Sequence, residues 1–160
     1  MDDLWPESIG QTSDSLTPIT ILQEQAKLLG DKTQNIVTAD VETVIDNEKR
    51  KPFVYGFYVV APVLQNFRYR LLEVSHNIEL YPLSIYVDEE IINENEGWND
   101  IEQENSWSKK YFKAKDESEF IDLLKIIFSS NKTKRIIANL MSQSKQLGGY
   151  AAPTEDDVTF

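Results

Sequence analysis

The sequence predicts an α+β domain: an antiparallel meander sheet of four to five strands, with one N-terminal and two C-terminal helices packed against it, in the order α-ββββ-(β)-αα. Three observations predict it. A capped amphipathic segment comes first, apolar residues of period two fill the middle, and two segments of helical period follow. The middle is the densest signal, because eight of the chain's fourteen Phe and Tyr residues fall between Phe53 and Val87.

The first helix is expected from Thr17, an N-cap residue, with Pro18 at the first helical position. Ile19, Leu22, Ala26 and Leu29 recur at helical spacing and form one apolar stripe, and Gly30 is expected as the stop. From Ile36 the period becomes two. Val37, Ala39, Val41, Thr43 and Ile45 alternate with a more polar set, as a half-buried strand does. A polar loop over residues 47–52 leads to a strand from Phe53 that is apolar on both faces, so a central position is expected. Gly56 within it signals a bulge or a close backbone approach.

Pro62 ends that strand. A third is expected from Phe67 to His76 and a fourth from Ile78 to Val87, bent at Tyr81-Pro82. Short connections between consecutive strands favour antiparallel pairing. Residues 88–106 are an acidic insert without sustained periodicity, after which residues 111–115 rejoin the sheet. Asp116 and Glu119 form a capping-box-like pair for a helix that turns Phe120, Leu123, Leu124, Ile127 and Phe128 inward. A last helix carries Ile136, Ile137, Leu140 and Met141 on one side and stops before Gly148-Gly149. The single domain thus spans 17–149, between a polar lead-in over 1–16 and an acidic tail over 150–160 expected to lack order.

Charge is the second guide. The formal net charge of the 160 residues is −11, and residues 88–104 hold eight acids with no Lys or Arg. Acids also cluster at both ends, which leaves the intervening segments mildly basic. This distribution argues against nonspecific nucleic-acid binding and leaves room for a local anion site. The absence of Cys removes disulfides, thiolate nucleophiles and Cys-based metal sites, and a cytoplasmic location is the default expectation. No apolar run approaches the length of a membrane span.

Few residues offer chemistry. His76 is the sole histidine, and strict alternation puts it on one strand face with Arg68 and Arg70, a set able to hold a phosphate or carboxylate. Lys132 and Arg135 open the last helix, where cations oppose the helix dipole and an anion would be welcome. The spacing is not that of a phosphate-binding loop. Trp98 and Trp107 stand in polar surroundings, where an indole either folds back as a lid or anchors a partner.

The chain closes on Glu155-Asp156-Asp157-Val158-Thr159-Phe160. An acidic run ending in Phe resembles the protein-docking tip of bacterial single-stranded DNA-binding proteins, although the Ile-Pro that precedes Phe in the usual tip is missing. The resemblance covers these six residues and implies partner-docking roles for Asp156, Asp157 and Phe160.

No nucleophile–base set is legible, so no catalytic residue, metal or cofactor is expected. The leading expectation is a small acidic, non-enzymatic interaction module of the inhibitor, immunity or accessory type. It would bind a protein, basic by complementarity. The alternative is a small-molecule or anion binder, or an enzyme, with an aromatic-lined pocket beside Arg68, Arg70 and His76.

Overall fold

A computed structural model describes residues 1–12, 16–45, 51–98 and 100–147. The tail with Asp156, Asp157 and Phe160, the Gly148-Gly149 stop and most of the 47–52 loop lie outside the described residues. The fold is the expected α+β arrangement. Helix α1 (Pro18–Lys32) is followed by strands β1 (Thr38–Thr43), β2 (Phe53–Ala61), β3 (Phe67–His76) and β4 (Leu83–Val87). Then come α2 (Glu89–Glu94), β5 (Ile101–Glu102), β6 (Tyr111–Ala114), α3 (Glu117–Phe128) and α4 (Asn131–Leu147). The six strands form one antiparallel sheet in the order β1-β2-β3-β4-β6-β5.

Local signals set most boundaries. The Thr17 hydroxyl accepts the Thr20 N–H, and the Asp116 carboxylate accepts the Glu119 N–H at 2.8 Å, so both helices start at their caps. Gly30 does not stop α1, which runs to Lys32. The chain instead turns through Gln34 and Asn35, at φ 55° and 62°. Thr33 fixes that turn by donating to the Val37 carbonyl and accepting the Val37 N–H. Gly30 lies inside the last turn, and its carbonyl accepts the N–H groups of Thr33 and Asn35 at 3.3 and 2.8 Å. Strand β4 is also shorter than the alternation suggests, starting after Pro82.

The core lies between the sheet and the helices. Phe57, Val59 and Ala61 of β2 and Leu72 and Val74 of β3 meet Leu22, Phe120, Leu123 and Ile127 from α1 and α3. Phe57 packs on Phe128 with ring centroids 5.5 Å apart. Each such fully buried large side chain contributes roughly 1.5–3 kcal/mol. Tyr58, Arg68 and Arg70 stand on the opposite face of the sheet, where no helix among the described residues packs on β2 and β3. No helix among the described residues is long and apolar enough to cross a membrane.

Candidate functional site

The register of β2 and β3 decides which side chains can act together. Arg68 lies opposite Val60 and Arg70 opposite Tyr58, on the face away from the helices. Between Phe57 and Tyr58 the register shifts, and Leu71 becomes an extra residue of β3. From Leu72 onward the alternation is inverted. His76 consequently lies opposite Phe53 on the helix side, not beside the two arginines. The sequence expectation of one Arg–Arg–His face is corrected by this bulge, since one inserted residue moves every later side chain to the other face.

Each of the three is engaged within the chain. Arg68 lies over the Tyr58 ring at 4.3 Å and bonds Glu42 at 2.7 Å, and the Glu42 carboxylate raises its pKa. Gly56 makes room for this stack, because a Cβ there would meet the Tyr58 ring at 2.7 Å. Arg70 pairs with Glu73 at 3.2 Å. His76 is 3% exposed, stacked on Phe53 at 5.2 Å, and its Nδ1 donates to the Asn77 carbonyl at 2.6 Å.

The basic start of α4 is likewise occupied from within. Lys132 Nζ and Arg135 Nη2 bond the two oxygens of Glu90, at 3.1 and 2.8 Å. Arg135, with Lys132, lowers the Glu90 pKa. Glu94 accepts the Asn131 N–H, and Ser130 Oγ accepts that of Thr133 at 3.3 Å. The acidic insert is therefore not a plain loop. Its Asp88-capped helix α2 buries Ile91 and Ile92 and turns Glu90 and Glu94 onto α4. The anion that a helix N-terminus favours is supplied by the chain itself.

The two indoles have different fates. Trp98 is 40% exposed, and its Nε1 donates to Asp100 Oδ2 at 2.8 Å. That carboxyl sits beside Glu119, whose pKa is raised by Asp100. Trp107 is 94% exposed at the tip of the segment 103–110. Asn105 Oδ1 accepts the N–H groups of Trp107 and Ser108, each at 2.9 Å, and Ser108 Oγ donates to the Asn105 carbonyl. Gln103 Nε2 closes the turn on the Ser108 carbonyl at 2.6 Å. The turn is thus held by its own hydrogen bonds, and the ring it presents packs on little.

Beneath this turn the sheet forms a trough of two adjoining grooves, of about 740 and 710 Å³, that share Tyr86, Trp107, Ser108 and Lys109. One is floored by Tyr69 to Leu72 and walled by α2. The other is floored by Val54, Glu73, Ser75 and Tyr111. Tyr86 and Tyr111 contact at 5.1 Å, and burial raises the pKa of both. Tyr86, Tyr111, Glu73 and the Asn105–Ser108 turn escaped sequence reasoning. Only the turn had a local signal, an Asn three residues before a Ser. Among the described residues, no three Asp, Glu or His side chains group as ligands for one metal ion. Comparison with known proteins finds no matching family model, no matching characterised protein and no matching solved structure.

Proposed function

We propose that the chain is a non-enzymatic protein-interaction module whose contact centre is Trp107 and the trough below it. The exposure of Trp107 on a self-bonded turn carries this reading. An indole left in water contributes little to stability, whereas one preorganised for a partner's pocket is a common anchor of binding energy. The ordered turn lowers the entropy cost of docking. The net charge of −11, with eight acids between residues 88 and 104, would steer a basic partner toward this side.

The competing ligand pocket loses its supports, because His76 lies across the sheet from Arg68 and Arg70 and each guanidinium has an acid. Action in the cytoplasm belongs to the same proposal, resting on the Cys-free composition. Affinity purification with the intact chain and Trp107→Ala tests the reading. The intact chain should retain a basic protein in a salt-sensitive manner, and Trp107→Ala should weaken retention by roughly tenfold or more. Its thermal stability should stay within about 0.5 kcal/mol of the parent. Equal retention by both chains would refute it.

A further inference from the structure

We propose that the free edge of β1 accepts an extended segment of a partner protein as a seventh strand, one bearing Lys or Arg on either side of an apolar residue. The edge adjoins the trough, whose second groove is lined by Val44 and Ile45, but it is the backbone of β1 that would bind, and the inference stands whether or not Trp107 anchors a partner. Among the described residues, strand β1 closes the sheet at one side and pairs only with β2. The Val44 N–H bonds the Val54 carbonyl at 2.8 Å. Alternation along an antiparallel ladder then turns the N–H and C=O groups of Ala39, Val41 and Thr43 away from β2, toward the open edge.

Native sheets blunt such an edge with charged side chains, proline, bulges, very short strands or a covering element. The far edge follows that rule, since β5 has two residues. Strand β1 has six, in continuous register and without proline, and the charges it carries are two acids, Asp40 and Glu42, which repel an acidic strand and accept a cationic one.

Charge selects the occupant. Asp40 and Glu42 project on the helix-free face, while Ala39 and Val41 pack toward the core. A second copy paired antiparallel about Val41 would set Asp40 of each copy against Glu42 of the other, and like charges directly opposite are destabilising. An incoming strand with an apolar residue across from Val41 and a cation on each side meets complementary groups throughout. Glu42 already holds Arg68 at 2.7 Å, whereas Asp40 feels the Arg68 charge from a greater distance and makes no direct ion pair among the described residues, so Asp40 is the more available of the two acids.

The test uses the full chain and an acetylated, amidated peptide Thr-Lys-Val-Lys-Val-Lys-Thr, with Glu replacing Lys in a control peptide. Binding is followed by backbone amide NMR and amide exchange. The Lys peptide should shift and protect the Ala39, Val41 and Thr43 amides, and the Glu peptide should not. Thr43→Pro removes one outward N–H without touching a β2 bond and should weaken binding by about fivefold. Asp40→Lys should weaken it by about tenfold.

Shifts confined to residues around Trp107, equal binding of the two peptides, or unaltered exchange at β1 would overturn the proposal, and the exchange result needs no variant to fold. A dimer of the chain without peptide, dissolved by Thr43→Pro, would also overturn it by making a second copy the occupant.

Discussion

Glu94 caps helix α4 from 37 residues away: its two carboxylate oxygens accept the backbone N–H of Asn131 at 3.0 and 3.2 Å. One turn earlier on α2, Glu90 takes Lys132 and Arg135. Two acids of a segment with no basic residue thereby satisfy a helix start that two cations would otherwise strain against the macrodipole. The pairing accounts for two of the eight acids of the insert, Glu90 and Glu94. It also removes the α4 terminus from the set of vacant anion sites.

The Glu90 pairing gives a pH dependence of defined sign. Its pKa is lowered in the folded chain, so its contribution is complete above the ordinary value of 4.5 and is lost as pH falls through the native value. Glu90→Gln should lower the thermal midpoint slightly at neutral pH and flatten its decline below about pH 4.5. Parallel curves for the two chains would show that Glu90 is not held by Arg135 and Lys132.

Vacating the helix start should create the anion site that the sequence suggested. In the double variant Glu90→Gln with Glu94→Gln, loss of the cap should cost about 1 kcal/mol. Sulfate should then stabilise this variant more than sodium chloride does at equal ionic strength, and leave the parent indifferent. Thermal unfolding in both salts measures it. Equal sulfate effects in the two chains would contradict the assignment.

Element type and order were legible because each depended on local signals. Thr17, Asp116 and the periodic apolar residues of α1, β2 and α3 speak through their nearest neighbours in sequence. The bulge did not. Leu71 reads as an ordinary strand residue, and its extra place in β3 comes from pairing with β2, which no alternation count contains. This non-local fact sent His76 to the helix side and dissolved the predicted Arg68–Arg70–His76 set. The same holds for α2, whose Ile91 and Ile92 are the only apolar pair in an acidic run. What stabilises so short a helix is burial against distant residues. Trp107 was singled out from its polar surroundings, but the tyrosines beneath it required the sheet order β4-β6 to bring Tyr86 and Tyr111 together.

Tyr81 is a stability defect that can be corrected. Its hydroxyl is buried without a hydrogen-bond partner among the described residues, its ring lies 6.4 Å from that of Phe120, and burial pushes its pKa up to about 12. A raised value means that the neutral phenol is favoured in the folded chain. Its contribution is present below pH 10 and fades as pH rises toward 12. Tyr81→Phe deletes an unpartnered polar atom, so it should leave stability at pH 7 unchanged or raise it by about 0.5–1 kcal/mol. In a spectrophotometric titration the last phenol to ionise should disappear. A loss of more than about 1 kcal/mol would mean that the hydroxyl has a partner after all.

The most direct test of the docking role is photo-cross-linking from position 107. A photoreactive phenylalanine replaces Trp107 in one chain and Trp5 in a second, since Trp5 is also well exposed, at 73%, and its N–H is likewise accepted by a side chain two residues earlier, Asp3 Oδ1 at 3.0 Å, but it does not line the trough. Illumination in extracts of the native host should join position 107 to one dominant basic protein, with the adduct fading as salt is raised, and position 5 should give no such product. The same adducts from both positions, or none from position 107, would contradict Trp107 as the anchor of a partner.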